Sequence, residues 1–305
     1  MATFVKFWGT RGSIPTPGHK TRRFGGNTSC VEVRIDDTLF VCDGGTGLRE
    51  LGVDLLGRVD RPTAHLFFSH THWDHIQGFP FFTPAYLSQN TFHVYGTAEG
   101  DRRTYELLSG QMRSVEYFPV DFAELKANIV ASHIDGGRRL IDGVRVRFFE
   151  QEHPGRSWAY SFEKDGVKVV FATDNEIDLV IKDEERIRAD LDAPRRIPRE
   201  LVEFVRGADL LVADGQYLDE EYPNRVGWGH PRASTVVDLA LQAGVKQLAI
   251  THHDPMHGDG DVDKKIVQCK ERAARGNRDL VVFGAREGLE LRIDSSLSSP
   301  PKTGP

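Results

Sequence analysis

The chain has 305 residues, 39% of them hydrophobic, and a formal net charge of −6. That length and apolar content suffice for one large packed core or two smaller ones, and the mildly acidic balance supplies no general attraction for polyanions, so no long nucleic acid is expected as a partner. No apolar run approaches the ~18 residues of a membrane span, and the opening "MATFVKFWGTRGS" has no charged stretch leading into a long apolar one, so no membrane partner is expected and a cytoplasmic location is the default. Cys30, Cys42 and Cys269 are odd in number, widely spaced and without a CxxC pair, which predicts reduced core thiols rather than disulfides or a thiolate zinc site.

In chain order, the glycines of "FWGTRGSIPTPG" and "FGGNTSC" (Gly9, Gly12, Gly25 and Gly26) permit tight turns that either bring amides and Arg11 to an anion or serve only as turns. Short β-rich runs follow at 30–35, 38–42, 64–69, 144–149, 167–173, 208–213, 247–251 and 279–284. Between the last three of these runs, "ASTVVDLALQAG" (233–244) and "DVDKKIVQCKERAARG" (261–276) carry helical spacing; the first closes on Gly244, and the second opens on acids and ends on Arg275 and Gly276. The segment 80–135 carries Phe81, Phe82, Tyr86, Tyr117 and Phe118, which serve core packing, an oligomer contact such as a homodimer, or a pocket that stacks a base. From Asp294 the tail "DSSLSSPPKTGP" has nothing to bury, so residues 294–305 are expected to be unstructured. Strands early and alternating strand and helix late predict a layered α/β architecture.

The informative pattern lies where the strands end. Asp43 follows "TLFVC", His70 follows "AHLFFS", His153 trails "VRVRFF" by four residues, Asp174 follows "VKVVFAT", Asp214 follows "ADLLVA" and His252 follows "QLAIT". Acids and imidazoles from six strands thus reach what is expected to be one edge, the usual place for a ligand in an α/β fold. Neutral imidazole and carboxylate suit zinc, with manganese or iron as the alternatives. In "SHTHWDH", alternate residues of an extended segment share a direction, so His70 and His72 reach one ion, while Asp74 and His75 turn toward a second. His70, His72, Asp74, His75, His153, Asp174 and His252 make seven candidates, too many for one tetrahedral site and suited to two divalent ions. A water between two ions roughly 3.5–4 Å apart yields hydroxide near neutral pH.

With those residues in place, the chain resembles the metallo-β-lactamase-fold hydrolases from about residue 3 to 293, which implies a single αββα sandwich domain over 1–293. By that resemblance His70, His72 and His153 hold the first metal, Asp74, His75 and His252 the second, and Asp174 bridges, with Asp74 also counted among the catalytic residues. Asp43 becomes an outer orienter. His252 and the adjacent His253 point apart if the strand continues; His252 is taken as the ligand and His253 as its neighbour behind. The stretch "GWGHPRASTVVDLALQAGVKQLAITHHDP" is similar to the ribonuclease Z and small-phosphodiesterase branch, which makes His230, partnered by Asp214, a catalytic pair, although the tRNA-processing enzymes carry Glu in the latter place. The expected function is a dinuclear metal-dependent hydrolase of a small phosphodiester such as a cyclic nucleotide. A thioesterase or lactonase of the glyoxalase type would use the same seven ligands without needing the pair, and a non-enzymatic binding module is the third reading.

Overall fold

The computed structural model describes residues 2–58, 62–96, 101–116, 118–133, 137–182, 184–190, 192–276 and 279–294. Strands β1 (Thr3–Gly9), β2 (Cys30–Ile35), β3 (Thr38–Cys42), β4 (Thr63–Phe67), β5 (Thr91–Gly96) and β6 (Asn128–His133) form a first sheet. The second comprises β7 (Arg138–Ile141), β8 (Val144–Gln151), β9 (Ser157–Lys164), β10 (Val167–Ala172), β11 (Leu210–Asp214), β12 (Gln247–Thr251) and β13 (Val281–Gly284), after which β14 (Glu290–Ile293) returns to the first sheet beside β1. Helices α1 (Gly47–Arg58), α2 (Trp73–Ile76) and α3 (Asp101–Gly110) belong to the first half, and α4 (Ile177–Val180), α5 (Glu184–Ala189), α6 (Arg199–Val205), α7 (Ala233–Ala243) and α8 (Asp259–Gly276) to the second.

Three hydrophobic layers hold these elements. Between the sheets, Phe7, Val33, Phe40 and Phe67 of the first meet Phe148, Tyr160, Phe162 and Val212 of the second, all essentially excluded from water. Outside the first sheet, Leu48, Leu51 and Leu55 of α1 cover Val41, Leu66 and Val94. Outside the second, Val236, Val237 and Ala240 of α7, with Ile266 and Cys269 of α8, cover Leu211, Leu248 and Ile250. The result is the four-layer αββα sandwich, each sheet buried on both faces, as continuous apolar runs such as "LLVAD" and "QLAIT" require. β3 to β6 run parallel, as do β10 to β13, so the ends of β3, β4, β10, β11 and β12 deliver their next residues to one side of the molecule.

The runs at 30–35, 38–42 and 247–251 are strands with the expected bounds, and Gly244 caps α7 at φ 64° as a left-handed glycine. Six strands escape the sequence pattern. β6, β7 and β14 stand at or near sheet edges, where pairing on one side tolerates polar residues, as the largely exposed β7 shows. The segment 80–135, in which the sequence pattern marks no strand or helix, contains β5, α3 and β6. Phe82 is fully buried against Phe92, Phe81 is 55% exposed and meets the edge of Phe118, and half-buried Tyr86 donates its hydroxyl to the Pro80 carbonyl. Tyr117 and residues 295–305 of the tail lie outside the described residues. All three cysteines are buried free thiols. Among the described residues no helix is long and apolar enough to cross a membrane.

Candidate metal centre

Three residues at strand ends take a backbone conformation that side chains other than glycine rarely adopt. Asp43 (φ 63°), Asp174 (φ 55°) and His252 (φ 54°) are all left-handed, so the chain turns sharply as it leaves β3, β10 and β12 and aims each side chain across the sheet edge. Such strain persists only where surrounding structure enforces it, and it clusters at functional sites.

The side chains converge closely. Nε2 of His252 lies 3.2 Å from Asp74 Oδ2 and 3.3 Å from Nε2 of His75, which is itself 3.3 Å from the same Asp74 oxygen. On the other side, Nε2 of His153 lies 3.2 Å from Nδ1 of His72, and the His70 and His153 rings are 4.6 Å apart. Asp174 stands between the groups. Its Oδ1 is 3.3 Å from His252, while its Oδ2 is 3.3 Å from His75, 3.7 Å from His70 and 3.8 Å from His153. All seven predicted ligand residues therefore share one site, and only His72 among them is exposed.

Hydrogen bonds behind the rings fix which nitrogen faces inward. Nδ1 of His75 donates to Asp43 (2.7 Å), that of His153 to the Gly229 carbonyl (2.8 Å), and that of His252 to Gln216 Oε1 (2.8 Å). Ser69 gives its proton to Asp43, so its oxygen accepts from His70 Nδ1 at 3.1 Å. Each of these four rings thus turns its Nε2 inward. His70 Nε2 and Asp174 Oδ1 are buried there without any hydrogen-bond partner. Inward lone pairs and carboxylate oxygens, packed 3.2–3.3 Å apart, repel one another unless positive charge sits among them.

The electrostatics point the same way. Burial opposes charge on His75, yet Asp174, Asp74 and Asp43 outweigh it and hold the ring well above its ordinary value. His252 is likewise pushed up to about 9, burial being overcome by Asp174 and Asp214. Asp174 and Asp74 are held well below the usual carboxylate range, because the histidines around them outweigh burial. The donor set therefore fits divalent cations of the imidazole- and carboxylate-preferring kind.

His230 stacks on His252 with ring centroids 4.8 Å apart, and its Nδ1 donates to Asp214 Oδ2 at 2.8 Å. It lines an open cleft of about 450 Å3 together with Ser13, Thr71, His72, Trp73, Asp74 and Asp174. Three other predicted residues stand back from this cleft. His253 donates Nε2–H to the Ala285 carbonyl and is fully buried. Arg11 is also fully buried, its guanidinium bound to the carbonyls of Gly25, Asp254 and His257, so it braces loops where an anion contact was envisaged. Gly12 serves close approach: a Cβ there would lie 2.3 Å from His252 Nδ1.

Several supporting residues escape sequence reasoning. Gln216 and Ser69 hold rings by side chains too common to single out, although both neighbour residues that were singled out. The Ser13 amide donates to Asp74 Oδ2 at 2.7 Å, a backbone contact that leaves no trace in residue type. Glu176 is completely buried, accepting from the Tyr222 hydroxyl and the amides of Gly227 and Gly229 at 2.6–2.7 Å. Its one sequence signal is an acid two residues after Asp174.

Two facing sheets with this cation-seeking edge define a metallo-β-lactamase-fold hydrolase, a fold that implies divalent metal ions. The family model described as the beta-lactamase superfamily domain matches residues 38–253, and the chain belongs to that superfamily. Among curated proteins it is similar to ribonuclease Z of Methanosarcina mazei, with 28% identity over 84% of this chain and 88% of that protein. It is also similar to ribonuclease Z of Haloarcula marismortui, with 26% identity over 96% and 98%. Among solved structures, the metallo-beta-lactamase fold protein YhfI from Bacillus subtilis superposes with a TM-score of 0.65 at 16% identity, over 96% of this chain and 100% of that one.

Proposed function

We propose that the protein is a phosphodiesterase that holds two divalent ions and cleaves a small phosphodiester. His70, His72 and His153 would hold one ion, Asp74, His75 and His252 the other, and Asp174 would contribute to both. Zinc suits this donor set best, with manganese and iron next. Bound ions supply Lewis-acid stabilisation of charge developing on the phosphoryl oxygens and a lowered pKa for water at the site.

The observation that carries the reading is the His230–Asp214 pair, 2.8 Å apart and beside the cluster. Asp214 accepts the Nδ1 proton, which fixes the ring and leaves Nε2 as the nitrogen that faces substrate. From there Nε2 would neutralise a phosphoryl oxygen or pass a proton to the leaving alkoxide. Asp43 holds His75 and Ser69 in place, and the Ser13 amide holds Asp74. Hydrolysis of a thioester or lactone needs no such pair.

A cleft of about 450 Å3 falls within the roughly 300–1,000 Å3 of small-molecule sites, and none of the residues lining it is Lys or Arg. Together with the net charge of −6, this supports a small substrate. A second reading, cleavage of a tRNA precursor, is favoured by similarity to ribonuclease Z proteins along most of the chain. The deciding test is a panel of bis(p-nitrophenyl) phosphate, 2′,3′- and 3′,5′-cyclic nucleotides, a 3′-extended tRNA precursor, a thioester, a lactone and a β-lactam. Preference for the small phosphodiesters supports the first reading, preference for the tRNA precursor the second, and turnover of the thioester alone refutes both.

A further inference from the structure

The floor of the cleft is polar and holds buried Asp74, Asp174 and His230, whereas exposed apolar side chains stand on its approaches. Trp73 and Trp228 are 79% and 60% exposed, unusual for the largest apolar side chain. Trp73 stands between His72 and Asp74 and lines the cleft directly. Trp228 stands two residues ahead of His230, and the carbonyl of the intervening Gly229 accepts from His153. Ile14 and Val226, also exposed, adjoin Ser13 of the cleft and the Trp228 turn respectively.

The Trp228 turn is built to stay in place. Buried Glu176 receives the amides on either side of it, from Gly227 at 2.7 Å and Gly229 at 2.6 Å, and the Trp228 amide donates to the Arg225 carbonyl at 3.0 Å. The Arg225 guanidinium lies over the indole, 4.6 Å from its centroid, and so backs one face of the ring. A tryptophan fixed in this way and still 60% exposed loses little freedom when something flat stacks on it.

We propose that Trp73 and Trp228 form an aromatic rim that stacks the base of a nucleoside-bearing phosphodiester, and so set substrate preference without taking part in the chemistry. The proposal rests on the phosphodiesterase reading and narrows it: the phosphate goes to the polar floor and the planar, apolar part of the same molecule to the rim. Base stacking on aromatic side chains tolerates any base and shifts affinity by about 10-fold or more per contact. Glu176 acts here as a positioning residue, through the backbone of residues 227–229.

The test compares kcat/KM for p-nitrophenyl thymidine 5′-phosphate with that for methyl p-nitrophenyl phosphate, which share a leaving group and differ in the nucleoside. The full-length, metal-loaded protein should prefer the nucleoside ester, and Trp73→Ala and Trp228→Ala should each cut the ratio about 10-fold, while Trp73→Phe and Trp228→Phe largely keep it. Metal content is measured alongside, because Trp73 lies between two residues of the cluster; the Phe variants answer the question if Trp73→Ala loses metal. No nucleoside preference in the unaltered protein, or an unchanged ratio in both alanine variants, overturns the rim. If neither ester is hydrolysed, the phosphodiesterase reading fails, and binding of thymidine 5′-monophosphate by tryptophan fluorescence still decides: about 10-fold weaker binding in the alanine variants supports the rim, and equal binding refutes it.

Discussion

The floor of the cleft and the loop from residue 215 to 232 carry different parts of the same site, and they are held by different means. Floor residues leave rigid parallel strands through strained turns at Asp43, Asp174 and His252, and their rings are locked by hydrogen bonds from behind. Most of the loop has no regular structure; it is fixed by two buried acids of the β10 exit, Glu176 on the Gly227 and Gly229 amides and Asp178 on the Arg232 amide and the Thr235 hydroxyl. Cation binding needs several donors placed to a few tenths of an ångström, which strand ends supply. Recognition of the substrate needs reach over the cleft, which a braced loop supplies.

Breaking the floor should have the largest effect. Asp174→Ala removes the carboxylate that touches both halves of the cluster, and metal per chain, measured by elemental analysis, should fall from about two to below one with turnover abolished; full metal content would mean that Asp174 does not bridge. Asp214→Asn, at the end of β11, loosens His230 of the loop and should lower kcat roughly 10–100-fold at unchanged metal content, as loss of an orienting partner does. Gly12→Ala sharpens the comparison from outside, since its Cβ would press on His252 Nδ1 at 2.3 Å and on Gln216 Oε1 at 2.7 Å. Overpacking of this kind costs about 1–3 kcal/mol, and chelator competition should show one of the two ions bound more weakly.

The smallest effect concerns Lys265, which donates to the Gln216 carbonyl beneath the loop and whose pKa burial pushes down to about 8. Between about 8 and its ordinary 10.5 the unfolded chain holds this proton and the folded chain does not. Stability therefore rises with pH across that window, and the penalty is fully present below it. Lys265→Met should flatten the rise, measured as the difference in urea midpoint between pH 8 and pH 10; an equal rise in both proteins would place the titration elsewhere.

Much of this site is legible in residue types. Imidazoles and acids spaced along "SHTHWDH", and their counterparts after later strands, declare metal chemistry because few other uses gather such groups at strand ends. Strands early and alternating strand and helix late declare a layered α/β architecture, and the αββα arrangement is what the family resemblance implies. What the sequence hides is carried by backbone and by common residues. Gly229 contributes a carbonyl, Ser13 an amide and Gly12 the absence of a side chain. The aromatics of segment 80–135 are less legible for a related reason: apolar rings suit a core and a binding site equally, and only packing separates buried Phe82 from exposed Trp73 and Trp228.

His230→Ala separates the two regions most directly. In metal-loaded protein assayed with bis(p-nitrophenyl) phosphate, the variant should keep about two metals per chain and lose roughly 10²–10⁴-fold in turnover, the size of a general-acid contribution. Loss of metal would make His230 part of the floor, and unchanged turnover would remove it from the chemistry; either result contradicts a phosphodiesterase in which the loop completes what the metal floor begins.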